Sequence, residues 1–200
     1  LDLIQHISVN DASQMTVGQA PYSAMCLETG CIIEGVIVYR FEDHYMLVVN
    51  ASNLPKDLAW IQGHAENFAA RVEDHSDQTA LIALQGPAAR EILRPLCDVD
   101  VDDVAYYRFL AGTVAGAPAV ISGTGYTGED GFELYLGADD AVTVWRALMD
   151  EGDDCGLIAA GLGARDSLRL EMGYALYGND LDEAHTPLES ALGWITKLDK

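Results

Sequence analysis

The residues from Ile121 to Leu136, ISGTGYTGEDGFELYL, bring together more groups able to do chemistry than any other stretch of the chain. Gly123, Gly125 and Gly128 fit G-x-G-x-x-G, the spacing of a dinucleotide-binding loop. That loop needs a helix directly after the glycines, so that its N-terminus meets the pyrophosphate. Here the alternating run Phe132-Glu133-Leu134-Tyr135-Leu136 follows instead, which signals a strand. The spacing therefore predicts a glycine-punctuated turn between two strands, with acids at Glu129, Asp130 and Glu133 and a ring at Tyr126. A Glu133 carboxylate on the buried side would accept hydrogen bonds from the amine donors of a flat ligand. An acidic surface hairpin is the plainer reading, because most loops only connect.

A second candidate lies further on. Arg165 and Arg169 share a helix face, and Asp166 sits three residues before Arg169. A guanidinium in the first turn of a helix entered through glycine makes a good fork for a carboxylate. The competing reading is an Asp-Arg pair that ties the helix down, and it leads for Arg169. Several rings, one arginine and one or two carboxylates would suit a flat heteroaromatic ligand with a carboxylate tail. Nucleophilic catalysis has little support, since no G-x-S-x-G occurs and no cysteine has a recognisable setting. The 5 histidines are scattered and the 4 cysteines form no C-x-x-C pair, so no metal site is expected.

Positioning these groups requires strands. Segments 18–26, 31–39 and 45–49 read as an antiparallel meander. An amphipathic helix over 54–68 follows, with Leu58, Ile61 and Ala65 on its stripe and Pro55 in its first turn. Strands are expected at 72–74, 80–85, 104–109 and 112–120, with a short helix over 88–96. A helix over 139–149 is expected to turn Val142, Trp145 and Leu148 inward, and a last helix runs over 162–176. Strands followed by a helix occur twice, without βαβ alternation. The fold class is therefore α+β, antiparallel strands with packed helices in two similar halves.

Bulk composition narrows the partners. The chain has 200 residues and a net charge of -21, from 32 acids and 11 bases. Nucleic acid would be repelled by that balance. No apolar run approaches membrane-spanning length, so no membrane partner is expected, and the cysteine usage suits a reducing, cytoplasmic setting. The acids are spread along the chain rather than gathered in a tail, as expected of a surface solvated in a salt-rich cytoplasm. Both ends look cut, as if this were part of a longer protein.

Three stretches carry a resemblance: TGYTGEDGFELY; GLGARDSLRLEMGYALYGNDLDEAHTPLESALGWITKLDK; and VVNASNLPKDLAWI together with ALIALQGPAAR. They resemble the aminomethyltransferase of the glycine cleavage system, the T-protein, over essentially the whole chain. Against that family the chain looks like the folate-binding core, residues 1–200, without an N-terminal segment and a C-terminal barrel domain. The resemblance implies an enzyme that uses tetrahydrofolate. Such an enzyme takes an aminomethyl group from the lipoyl arm of H-protein, releases ammonia and forms 5,10-methylenetetrahydrofolate. It also implies that Glu133 holds the amine edge of the pterin, that Tyr126 lies beside the folate and that Arg165 takes a tail carboxylate. Tyr22 would line the same cavity, with Asn50 and Asn53 at its edge.

One departure stands out. The family strand reads G-G-I-I-D-D, and its second acid is credited with catalysis. This chain has Gly30-Cys31-Ile32-Ile33-Glu34-Gly35, so Gly35 stands at the position of the catalytic acid and has no side chain to handle a proton. In a regular strand Glu34 faces the other way from Gly35. A bulge at Gly35 would re-aim Glu34 as a substitute. A related tetrahydrofolate-dependent demethylase, which would not need the same acid, and a non-catalytic folate-binding module are the alternative readings.

Overall fold

The structure, a computed structural model, describes residues 1–200. It is α+β, built from two antiparallel sheets with packed helices. The chain divides into two compact units, one made of Leu1–Asp74 with Ala175–Lys200 and the other of His75–Tyr174.

The first unit holds helix α1 (Asp2–Ile7), strands β1 (Tyr22–Cys26), β2 (Ile32–Arg40) and β3 (Tyr45–Val48), and helix α2 (Leu54–Ala65). The strands form the meander β1-β2-β3, as their hydrophobic runs and intervening turns require. Ala24 pairs with Gly35 and Met25 with Glu34. Paired residues share a face and neighbours along a strand alternate, so the two faces of β2 can be told apart. On one face Met25, Ile33, Val36 and Val38 pack with Leu3, Ile4 and Ile7 of α1 and Ile61 of α2. On the other, Ala24 and Ile32 pack with Leu181, Leu192 and Ile195 from the end of the chain. Three strands are stable on their own only with an apolar face to bury. Here both faces are covered, and the C-terminal segment is stitched on by Ile32 N–H to His185 O (2.9 Å) and Lys197 N–H to Val9 O (3.0 Å).

The second unit contains β4 (Thr79–Gln85), α3 (Ala89–Leu93), β5 (Phe109–Val114), β6 (Ala117–Ser122), β7 (Gly131–Gly137), α4 (Ala141–Gly152) and α5 (Leu162–Glu171). Its sheet has the order β4-β7-β6-β5. Ile82, Leu84, Ile121, Phe132, Leu134 and Leu136 meet Ile92, Leu93, Val144 and Leu148 in a single core.

Five expectations need correction. No strand forms at 72–74; Val72 packs against the first core, but the polar run around it has no ladder partner. The stretch expected as one strand over 112–120 is a hairpin, because Ala115 (φ 50) and Gly116 (φ 82) both take the left-handed conformation that a two-residue turn demands. That turn moves the preceding strand from 104–109 to Phe109–Val114. The inward stripe of α4 is Val144 and Leu148, while Val142 is 59% and Trp145 43% exposed. Spacing of three alone drifts around a helix, whereas Val144 and Leu148 are one i, i+4 step apart. Finally, α5 ends at Glu171 rather than 176, because Gly173 (φ 71) closes it.

Candidate functional site

The candidate residues fall into two groups, one in each unit. In the second unit the central group is Glu133 on β7, opposite Ser122 of β6 and Ala83 of β4. The Thr124 hydroxyl donates to Glu133 Oε2 at 2.5 Å, and the Tyr135 hydroxyl donates to the same oxygen at 3.3 Å. Tyr135 reaches it because residues two apart on a strand share a face. Both donors use Oε2, and no protein donor reaches Oε1. The carboxylate is thus held in one orientation with an acceptor to spare.

The loop leading to Glu133 is built around a side chain that sequence reasoning did not single out. Gln85 donates through Nε2 to Thr124 O (3.1 Å) and Phe132 O (3.2 Å), and accepts at Oε1 from the Thr127 hydroxyl (3.0 Å). A Cβ at Gly125 would lie 2.0 Å, and one at Gly131 2.7 Å, from Gln85 atoms. Two of the glycines are therefore spaces for Gln85, and the loop packs on protein rather than cradling a pyrophosphate. Arg90 ties its far end down through a two-pronged pair with Asp130, Nε to Oδ2 at 2.6 Å and Nη2 to Oδ1 at 3.0 Å.

Tyr126 and Arg165 come together: the Arg165 guanidinium lies 4.4 Å from the centre of the Tyr126 ring. Tyr126 also stacks on Tyr174, with centroids 5.8 Å apart. Tyr106 is 64% exposed and tilts onto Tyr107 with ring centroids 4.3 Å apart. Arg169 is buried; it donates through Nε to Asp166 Oδ1 (2.8 Å) and through Nη1 to Tyr174 O (3.1 Å). A cavity of about 350 Å³ opens along the loop between Arg90, Tyr106, Thr124 and Tyr174. Neither Tyr126, Glu133 nor Arg165 is among its lining residues.

In the first unit, the candidates use both faces of β2. A register shift opposite Met25 and Cys26 inserts Ile33 as an extra residue, since Cys26 pairs with Ile32 and Met25 with Glu34. The bulge therefore falls at Ile33 rather than at Gly35, and it does not turn Glu34 to the Gly35 side. Glu34 is fully buried on the α2 face. Its Oε1 accepts from Asn50 Nδ2 (2.8 Å) and from Gly35 N–H (2.9 Å), and its Oε2 from Asn53 Nδ2 (2.5 Å). A carboxylate can only accept, so both asparagines must present their NH₂ groups to it. Their Oδ1 atoms have no protein donor.

On the opposite face, a Cβ at Gly35 would lie 2.3 Å from the Tyr22 hydroxyl oxygen and 3.1 Å from the ring carbon bearing it. Tyr22 is diagonal to Gly35, because Ala24 is the direct partner, and its ring leans back along the strand. The space that a side chain at position 35 would take is filled by the phenol. Tyr22 also stacks with Trp194 at 6.3 Å.

The second unit thus offers a carboxylate held by two hydroxyls and an arginine-covered ring, and the first a buried acid that holds an asparagine pair. The sequence profile of the GCVT N-terminal domain matches residues 1–200. The chain belongs to this family. It is 50% identical to the aminomethyltransferase of Halothermothrix orenii, over 100% of this chain and 56% of that relative. To the aminomethyltransferase of Chloroherpeton thalassium it is 46% identical, over 98% of this chain and 55% of the relative. The crystal structure of glycine cleavage system aminomethyltransferase T from Bartonella henselae superposes with a TM-score of 0.85 at 31% identity, covering 99% of this chain and 53% of that one. The chain thus spans about half the length of these aminomethyltransferases. No helix of the chain is long and apolar enough to cross a membrane.

Proposed function

We propose that this chain is the tetrahydrofolate-binding core, residues 1–200, of an aminomethyltransferase of glycine cleavage. It would act on the aminomethyl group carried by the lipoyl arm of H-protein, with release of ammonia and formation of 5,10-methylenetetrahydrofolate. The observation that supports this most is Glu133, with Oε2 fixed by Thr124 and Tyr135 and Oε1 left to accept. A pterin presents amine and ring N–H donors side by side, which suits that oxygen. Arg165 would pair with a carboxylate of the folate tail while its guanidinium covers Tyr126. Asn50 and Asn53 would offer Oδ1 acceptors to N–H groups of the ligand. Tetrahydrofolate, when bound, supplies the nitrogen nucleophiles that take up the one-carbon unit. The donor set fits this ligand.

The test is binding of tetrahydrofolate to the full-length protein, followed by ammonia release from aminomethyl-lipoyl H-protein. Glu133→Ala is expected to weaken folate binding by about 10- to 100-fold, the loss of a charge-assisted hydrogen bond. Unchanged affinity in that variant would overturn the assignment of Glu133.

The filled space at Gly35 favours a second reading, transfer of a methyl group from an N- or S-methyl compound to tetrahydrofolate, which needs no acid there. Methyl transfer without ammonia release would establish it. Tight folate binding with no turnover of either donor would leave a binding module.

A further inference from the structure

Helix α2 carries a carboxyl group that none of the roles above uses. Asp57 is fully buried, and neither of its oxygens has a hydrogen-bond partner. It sits four residues before Ile61, on the stripe that packs against β2. A lone carboxylate there would be costly. The Lys56 ammonium is only a partial answer, because its Nζ lies 3.9 Å from Asp57 Oδ1 and is shared with three other partners. It donates to Ile33 O (2.6 Å), lies 3.8 Å from Glu183 Oε1 and sits 4.1 Å from the centre of the Tyr177 ring. Glu34 is the other charged group there: Asn53, which donates to Glu34 Oε2, precedes Asp57 by one helical step at the start of α2, and Glu34 is itself buried and already takes N–H donors from Asn50, Asn53 and Gly35. Two adjacent carboxylates have no hydrogen to place between them, which is why Asp57 finds no partner. A proton on Asp57 supplies one.

We propose that Asp57 and Glu34 form a buried carboxyl pair holding one proton, in which the Asp57 O–H donates to Glu34. Asp57 is then the positioning residue for Asn50 and Asn53, acting through Glu34. With the proton in place the pair carries a single negative charge. Glu34 keeps both asparagine NH₂ groups turned toward itself, and their Oδ1 atoms stay available as acceptors. When Asp57 ionises, two like charges share a site of low polarity and the grip on the asparagines loosens. Burial first, and then repulsion by Glu34, push the Asp57 carboxyl up to about 7, against the opposing pull of Lys56. The switch therefore falls near neutral pH.

Its use in ligand binding rests on the folate reading, whereas the titration does not. The test is therefore made first on ligand-free full-length protein, following the side-chain carbonyl of Asp57 and the side-chain amides of Asn50 and Asn53 by NMR between pH 4 and 9. The expected result is one shared midpoint near neutrality for all three. Glu34→Gln is expected to move the Asp57 midpoint down by about one pH unit or more, since it removes the repelling charge. Asp57→Asn, which keeps a donor toward Glu34, is expected to leave the asparagine signals flat across the range. Titration of Asp57 in the ordinary carboxylate range, or asparagine signals that still move in Asp57→Asn, would overturn the pair. A shared midpoint in a protein that fails to bind tetrahydrofolate supports the pair and overturns only the folate reading.

Discussion

At position 35 a missing side chain and an inserted ring occupy the same few ångströms. Gly35 has no side chain, and the Tyr22 hydroxyl oxygen lies 2.3 Å from where a Cβ would be. Placing an acid there is thus not a local change. Gly35→Asp is expected to destabilise the protein by about 1–3 kcal/mol through overpacking. Tyr22→Phe should recover much of that, because it removes the atom in conflict. A double-mutant cycle read by urea unfolding would show coupling between the two positions; additive effects would remove the steric account. Asp57 makes a separate prediction. Its carboxyl is raised from 3.8 to about 7 on folding, so between those values the folded state binds more protons than the unfolded one. Its contribution to stability is full below about pH 4 and lost as the pH climbs to about 7. Unfolding free energies of wild type minus Asp57→Asn should fall across that window, and a flat difference would count against the raised value. The absence of an acid at position 35 was legible in the sequence as a departure from a pattern. Its replacement by Tyr22 was not, because the contact is diagonal across a strand pair whose register the chain alone does not reveal. Asp57 did leave a signal, a carboxylate one helical step before Ile61 on an otherwise apolar stripe.

Among the elements, hydrophobic period was the most reliable guide, and it erred where turns or termini decided the outcome. The meander of β1, β2 and β3 and the strand β7 after the glycines follow from alternation. The break at Ala115-Gly116 and the early end of α5 are set by residues with positive φ, which apolar patterning does not register. The glycine-rich stretch looked like a loop made for a ligand, yet Gly125 and Gly131 make room for Gln85, a residue forty positions away in sequence from the first of them. Helix α5 separates the two arginines by role. Arg169 is 3% exposed and closes the helix end onto Tyr174 O, whereas Arg165 is exposed and meets Tyr126 by its face. Arg169→Ala should therefore cost about 1–3 kcal/mol of stability, the penalty for stripping a buried hydrogen-bond partner. Arg165→Ala should cost at most about 1 kcal/mol, as exposed cation–π contacts do. Thermal unfolding of the two variants, with folate affinity measured alongside, tests the division. The expected pattern is stability lost in Arg169→Ala and affinity lost in Arg165→Ala, and the reverse would require the two roles to be exchanged.

At the scale of the whole molecule, charge is the dominant property. A net charge of -21 leaves few exposed cations to answer the acids, and the ion pairs that do form, such as Arg94 with Asp100 and Asp102, are largely solvent-exposed. Such pairs add little, so long-range self-repulsion among surface carboxylates is the larger effect. Screening shortens from about 10 Å at 0.1 M salt to about 3 Å at 1 M. We expect the melting temperature to rise steadily over that range in potassium chloride, a salt chosen because sulfate would also strengthen apolar burial. Lowering the pH toward the sequence pI of about 4.2 should stabilise for the same reason, but protonation of Asp57 acts in the same direction, and the two must be separated. Salt does so, since a buried pair is screened far less than a surface charge. The difference between wild type and Asp57→Asn should keep its pH dependence at 1 M salt, while the pH dependence common to both proteins should flatten. If melting is indifferent to salt, surface repulsion is not what limits this fold. In that case the acidity serves solvation alone, and the pH response of the protein belongs to its buried carboxyls.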